Sequence, residues 1–268
     1  MRISIITATF NSGNTLEDTL KSVLNQTYQD FEHIIVDGAS KDNTLDIIRK
    51  YEPLMNGRLK YISEKDNGLY DAMNKGIDMA TGEVIGILNS DDFYTSNDIL
   101  EQIANYFEHN NVNALYGDIH YVDGSNLSQC VRYYSSKVFR PCLMKMGFMP
   151  AHPSFYCRQQ VYKQCGKFDT SYKVAADFEQ LLRIIYINKT PTAYLPLDFV
   201  TMREGGVSNT NLNSRMTIMK EHQRALRSHK VFCCPPLLYL RYVYKFYEIL
   251  ISPILYKQSL KRKARENK

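Results

Sequence analysis

No segment of this 268-residue chain reaches the roughly 20 consecutive apolar residues that a membrane-spanning helix needs, so the chain is expected not to cross a bilayer. The apolar run that opens it, residues 3–6, is too short for the core of a secretory signal and has no cleavage pattern behind it. Its six cysteines (Cys130, Cys142, Cys157, Cys165, Cys233 and Cys234) form no C-x-x-C pair, which removes support for a zinc site or a redox motif. These absences lead to the expectation of a cytoplasmic protein with reduced thiols. The formal net charge is only +5, and no lysine or arginine stripe runs through residues 1–200, so nucleic acid is not an expected partner. Tryptophan is also missing, and no physical reason for that is evident.

What remains is the balance of an ordinary globular protein, with 44% hydrophobic and 23% charged residues. The length allows one large domain with or without an appendage. Residues 3–9, 31–37, 58–63 and 83–88 read as strands, being β-branched and apolar. Between them, Leu16, Leu20, Val23 and Leu24, then Leu45, Ile47 and Ile48, then Met73, Ile77 and Ala80 recur at helical spacing, and Ile99, Leu100, Ile103 and Phe107 follow the last strand. Thr15 and Asp18 look like a capping box, and Gly82 like a left-handed helix end. Alternating strands and helices imply a parallel sheet covered on both faces, with ligands beyond the carboxyl ends of its strands. Polar clusters at 9–11, 37–40, 64–68 and 89–92 fall at those ends. Beyond residue 111 the pattern changes. It gives a strand at 114–118, a hairpin turned by Asp123-Gly124, an irregular stretch at 134–153, a helix at 176–187, strand within 193–202 and a polar helix at 210–227.

Two adjacent carboxylates, Asp91 and Asp92, repel each other unless a cation or strong donors lie beside them. Magnesium and manganese prefer carboxylate and phosphate oxygens, and either ion there would steady a diphosphate leaving group. The plainer alternative is helix capping. Asp37, after an apolar strand and before Gly38, can accept the N3 proton of a uracil ring, with Thr9 and Asn11 lining the same pocket; turn chemistry accounts for all three equally well.

Four motifs occur in order: Thr7-Ala8-Thr9-Phe10-Asn11, then residues 36–44 from Val36-Asp37-Gly38-Ala39-Ser40, then residues 64–76 around Asp66-Asn67-Gly68-Leu69-Tyr70-Asp71-Ala72-Met73-Asn74, then Leu88-Asn89-Ser90-Asp91-Asp92. Together they resemble the family 2 glycosyltransferases with the GT-A fold, strongly over about residues 1–120 and more weakly to about 210. The resemblance implies an α/β fold with a Rossmann-like, mostly parallel central sheet, a small β-hairpin region and a C-terminal helical appendage. It implies that Thr9 and Asp37 hold the nucleobase, that Asp66 lies in a loop closing the nucleotide pocket, that Asp91 sits near the ribose and that Asp92 binds the metal. Thr7, Asn11, Ser40, Gly68 and Asn74 belong to the same motifs and are nucleotide-binding candidates with them. Asn89 departs from the acidic residue often found at its position, which leaves fewer carboxylates for Mn²⁺ or Mg²⁺.

In the same likeness, Asp177 matches the acidic base at the start of a helix, which would take the acceptor's hydroxyl proton in an inverting displacement; capping is its alternative, and Glu179 ranks behind it. His152 is a candidate contact to metal or acceptor, or a plain loop histidine. Arg203-Glu204-Gly205-Gly206-Val207-Ser208 resembles a loop over the diphosphate; there Arg203, Gly205, Gly206 and Ser208 are candidates for diphosphate or acceptor contact, and an ordinary turn is the alternative.

The domain is expected to span 1–230, with a nucleotide-sugar half to about 118 and an acceptor half to 230. Residues 231–268 then form an amphipathic, basic segment, rich in Leu, Ile and Tyr, with Pro253 expected to kink any helix. Such a helix suits a membrane surface, on the inner face of the cell membrane; packing on the domain or on a partner is the alternative. The expected reaction is hexosyl or N-acetylhexosaminyl transfer from a nucleotide-sugar, best matched by a UDP-sugar, to a saccharide or lipid-linked saccharide of a surface polysaccharide. A catalytically inactive nucleotide-binding scaffold and a sugar nucleotidyltransferase are the rivals; the latter's Gly-rich N-terminal loop is not present at 8–14.

Overall fold

The computed structural model describes residues 1–204 and 212–266. Nine strands form one mixed sheet in the order β3-β2-β1-β4-β8-β6-β9-β5, with β7 paired to β6. The first four are β1 (Ile3–Thr9), β2 (Phe31–Asp37), β3 (Leu59–Ser63) and β4 (Val84–Ile87), and all run parallel. The short β5 (Phe93–Tyr94) follows the acidic pair. β6 (Ala114–Asp123) and β7 (Asn126–Tyr134) make the hairpin expected at Asp123-Gly124. β8 (Phe155–Arg158) runs antiparallel between β4 and β6, and β9 (Thr192–Arg203) runs parallel to β6. The sheet is thus parallel in its N-terminal half and mixed beyond it.

Burial at every position of β1, β2 and β4, with side chains alternating between the two sides, gives these strands two apolar faces. Ile6, Ala8, Ile34, Val36, Ile85 and Ile87 point to the face covered by α3 (Leu69–Met79), α5 (Gln159–Cys165) and α6 (Ala176–Leu181). Ile3, Ile5, Phe31, Ile35 and Val84 point to the face covered by α1 (Leu16–Leu24), α2 (Thr44–Tyr51) and α4 (Ile99–His109). Helix α3 lies so close to β1 that a Cβ on Gly76 would meet Ile6 Cγ2 at 2.3 Å. Two long helices complete the chain: α7 (Leu212–Ser228) and α8 (Pro235–Glu266).

Two local expectations change. Thr15 precedes α1 but makes no side-chain cap; its hydroxyl donates to the Ser90 carbonyl at 2.9 Å, and Asp18 pairs with Arg203 instead of closing a capping box. Helix α3 ends at an extended Ala80, and Gly82 has no left-handed backbone; it is small because a Cβ there would lie 2.6–2.8 Å from Ser4 Oγ and the Arg2 carbonyl. Helix α8 runs through Pro253 without ending.

One face of α8 is docked. Glu248 is buried against Arg132 (3.1 Å from Nε), Ser252 Oγ accepts from the Tyr133 N–H, Tyr244 packs edge-on to Phe148, and Leu238 is fully buried. The other face leaves Tyr239, Leu240, Val243, Phe246, Tyr247, Leu250 and Ile254 exposed. Among the described residues, no helix is long and apolar enough to cross a membrane.

Candidate functional site

The register of the parallel strands sets Thr9, Asp37 and Ser63 side by side at one sheet edge. Asp37 is fully buried, and both its oxygens are occupied: Oδ2 accepts from Ser40 N–H (3.0 Å) and Ser63 Oγ (2.6 Å), and Oδ1 from Ser40 Oγ. The carboxylate expected at the nucleobase also holds the 38–40 turn onto β3. Ser40 Oγ also accepts the Asn11 N–H at 2.8 Å, and Asn11 Oδ1 accepts the Lys41 N–H at 2.8 Å, so Ser40 and Asn11 stitch two edge loops together. Asn11 takes the left-handed φ of 49° that this crossing needs, a conformation asparagine tolerates.

The open carboxylate at this edge is Asp66. A Cβ on Gly38 would stand 2.6 Å from Asp66 Oδ2 and 3.3 Å from the ring of Phe10, which is 60% exposed. The missing side chain at 38 therefore leaves a carboxylate and an aromatic face around one small space. Asp66 Oδ1 accepts the Gly68 N–H at 2.9 Å, and Gly68 starts α3 at φ 113°, where glycine is favoured. Phe10 stands within the first quoted motif, but spacing alone gave it no role; a large apolar residue just past a strand end was the available signal.

Two of the candidates face inward. Thr7 is fully buried; its hydroxyl donates to the Leu88 carbonyl (2.8 Å) and so accepts from Nε2–H of His33 (2.9 Å). Asn74 ties its amide to the backbone of Phe168, donating to the carbonyl and accepting from the N–H, both at 2.9 Å. In these bonds both side chains hold the frame behind the edge. Thr9 is also buried, but its Oγ1 has no partner.

The acidic pair follows β4 in a turn closed by the Asp92 N–H to Asn89 carbonyl bond at 3.1 Å. Helix α4 starts only at Ile99, so neither carboxylate caps it. Asp92 is fully buried: Oδ2 accepts from Asn89 Nδ2 at 2.8 Å, and Oδ1 has no partner. Burial first, then the Asp91 charge, pushes its carboxyl well above the usual range, while Asn89 and Arg203 oppose the rise. Burial also raises Asp91, against Arg203. Arg203 donates to the Asp91 carbonyl at 2.7 Å and pairs with Asp18, which places its guanidinium against the acidic turn. An orphaned, buried carboxylate oxygen beside a second carboxylate fits a hard divalent cation. Among the described residues, no three His, Cys, Asp or Glu side chains converge on one point, so a cation here would take its remaining ligands from phosphate and water. His152 lies in the 152–154 turn packed against β4, β6 and β9; burial lowers its imidazole to about 4, leaving the neutral form that can ligate a metal. Gly205, Gly206 and Ser208 lie outside the described residues.

Asp177 is the second residue of α6, half-buried, with Oδ1 accepting the Phe178 N–H at 2.8 Å. Burial pushes it up to about 6, the Phe178 bond opposes this, Glu221 adds to the rise and Arg241 reduces it. Asp177 lies inside its helix and is not the residue before it. Glu221 of α7 braces the segment leading into that helix, accepting from the N–H groups of Lys173, Val174 and Ala175 at 2.8–3.0 Å. Glu179 is bound to Arg183 (2.7 Å) and His229 (2.7 Å) and faces away, as its two-residue offset implied. The Tyr70 hydroxyl, at the start of α3, lies near the backbone of Asp177 and Ala176. Its ring stacks on Phe168, whose other neighbour is His152. A continuous aromatic wall thus joins Asp177 to the loop that carries Asp66 and Gly68.

Comparison with known proteins agrees with this geometry. Residues 4–158 match the sequence pattern of Glycosyl transferase family 2. A PGL/p-HBAD biosynthesis glycosyltransferase of Mycobacterium tuberculosis is 32% identical over 209 residues, covering 77% of this chain and 79% of that one. A second glycosyltransferase of the same species, uncharacterized, is 33% identical over 184 residues, 68% of each chain. Among solved structures, Staphylococcus aureus TarS 1–349 with UDP-GlcNAc superposes with a TM-score of 0.66 at 20% identity, over 84% of this chain and 66% of that one. The chain spans 40% of the longer TarS structure. Mannosyltransferase PcManGT of Pyrobaculum calidifontis with GDP-Man and Mn²⁺ gives 0.63 at 17% identity, over 96% of this chain and 68% of that one. At these identities the structural likeness is one of fold: the curled central sheet with flanking helices is GT-A.

Proposed function

The chain belongs to Glycosyl transferase family 2, and from that premise we propose that it moves a sugar, with inversion, from a UDP-sugar onto a hydroxyl of a lipid-linked saccharide during assembly of a surface polysaccharide. The supporting observation is the pair of carboxylates in contrasting settings: Asp92, with a buried unpartnered oxygen, and Asp177, held near neutrality at a helix start. Asp66 accepts the ring N–H of the base, and Phe10 offers it a stacking face. Asp92, with Asp91 beside it, would hold Mn²⁺ or Mg²⁺, which would supply charge neutralisation for a departing diphosphate, and His152 faces the acceptor side. Asp177 takes the proton of the acceptor hydroxyl as its oxygen bonds to the anomeric carbon; the bond from that carbon to the diphosphate oxygen breaks, and the electron pair leaves with UDP. A base near 6 is mostly ionised at neutral pH yet still a competent acceptor.

The exposed stripe of α8 enters the membrane interface, with Lys257 and Lys261 toward anionic headgroups. Because α8 is docked on the hairpin, replacing exposed residues tests this better than deleting the helix. Phe246→Asp with Leu250→Asp is expected to abolish flotation with anionic vesicles; unchanged flotation would end the membrane reading.

The nucleotide assignment is tested by thermal shift against UDP, GDP, CDP and dTDP, with and without manganese. Stabilisation by UDP plus manganese, lost in Asp92→Ala, is the expected result. Stabilisation by another nucleotide, or indifference to manganese, contradicts it.

A further inference from the structure

The C-terminal helix reaches the catalytic face as well as the hairpin. Arg241, in the second turn of α8, places Nη1 2.9 Å from Nδ1 of His222 on α7. The His222 ring lies flat on Phe178, with centroids 3.8 Å apart and planes within 8°. Phe178 donates its N–H to Asp177 Oδ1. Three helices are therefore in line behind the carboxylate: α8 grips α7, α7 stacks on α6, and α6 holds Asp177. Next to His222 in sequence, Glu221 braces the segment leading into α6. Gly147, with φ 78°, closes the pocket from below: a Cβ there would stand 3.1 Å from His222 Nδ1, 3.2 Å from Leu238 and 3.4 Å from Arg241 Cδ. The first turns of α8 fit this space too closely to be a loose tether.

We propose that Arg241 is a positioning residue for Asp177, so that the seating of the C-terminal helix on the domain is part of the base's environment. The inference rests on the reading of Asp177 as the base. Two charged groups bear on Asp177: Glu221 from α7, which is anionic, and Arg241 from α8, which is cationic. The titratable neighbours are Tyr70 from α3 and His222 from α7; burial and the Arg241 charge keep the imidazole neutral. Arg241 is thus the positive counterweight to Glu221. Removing it leaves the base facing one negative charge, and frees His222 to tilt off Phe178. A helix with one face suited to lipid and the other to the base makes membrane contact and proton transfer properties of a single element.

The test uses the full chain labelled with carbon-13 at aspartate carboxyls, Asp177 being assigned by the signal lost in Asp177→Asn. The wild-type resonance should titrate near 6. In Arg241→Gln the midpoint should rise by about half to one pH unit, and in Arg241→Lys it should stay with the wild type. Should Arg241→Gln fail to fold, His222→Phe keeps the stacked ring, removes the arginine's acceptor and should move the midpoint the same way. An unmoved midpoint in the variant that folds, or equal shifts for Gln and Lys, overturns the proposal. UDP release from UDP-N-acetylglucosamine and UDP-glucose separates the two readings. If Asp177→Asn still releases UDP at the wild-type rate, the base reading fails, whatever the titration shows.

Discussion

The proposed donor edge and the proposed acceptor side of this molecule are built by different means. At the donor edge, most loop bonds come from the first half of the chain (Ser40 on Asp37, Asn11 on Lys41, Thr15 on Ser90, Thr19 on the Asp92 carbonyl), and Arg203 of β9 is added to the acidic turn. At the acceptor side, one carboxylate depends on Tyr70 from α3, Glu221 from α7 and Arg241 from α8. A self-bonded edge tolerates changes elsewhere in the chain. A base held by three distant helices does not. Substitutions on the acceptor side should therefore lower transfer while leaving nucleotide binding intact, whereas substitutions at the edge should weaken nucleotide binding and transfer together.

The sharpest break of that division is Asp177→Asn, expected to lower transfer by about 10²–10⁴-fold in a donor-turnover assay, with the thermal shift by UDP unchanged. Next comes the pH profile. As the proposed base, Asp177 would work only when deprotonated, so turnover should climb as pH rises through about 6 and be level above it. At pH 5 it should be about a tenth of the plateau; a flat profile from 5 to 8 would move the base elsewhere. Glu221→Ala leaves three backbone donors near α6 without their acceptor and should cost about 1–3 kcal/mol by denaturant unfolding, with transfer falling further than nucleotide affinity. Away from both sites, buried Glu32 binds Ser4 (2.7 Å), Thr81 N–H (2.6 Å) and Lys60 (2.8 Å). Burial raises its carboxyl, but those bonds prevail and bring it to about 2. Its folded pKa lies below its unfolded one, so its stabilisation is complete above the unfolded value and fades as pH falls toward 2. Acid titration of Glu32→Gln should lack that component. The mildest change is Gly38→Ala, which pushes Asp66 aside and should weaken UDP binding several-fold without altering the pH profile.

Much of this was legible in the sequence, for identifiable reasons. Strand and helix positions up to α4 followed from apolar spacing, and four polar clusters at strand ends located the edge. Spacing does not say which way a carboxylate's lone pairs face, so the bonds of Asp37 to Ser40 and Ser63, and the place of Asp66 beside Gly38, come only from the structure. The inward bonds of Thr7 and Asn74 are hidden for the same reason, since motif membership does not distinguish a group that builds a pocket from one that lines it. Glu221, 46 residues beyond the N–H of Ala175 that it accepts, gave no local signal in a polar helix. Gly82 was read as a helix end when close approach to the Arg2 carbonyl and Ser4 is its reason.

The brace that Glu221 places before α6 has a consequence for how the protein is made. Chain synthesis delivers the acidic turn at 91–92 roughly 130 residues before Glu221, an interval of about 6–26 seconds at ordinary elongation rates. The proposed donor edge leaves the ribosome first, and the segment before Asp177 acquires its brace only once Glu221 has followed. On the proposed reading, a nascent chain lacking α7 meets its donor before it is equipped to pass the sugar on.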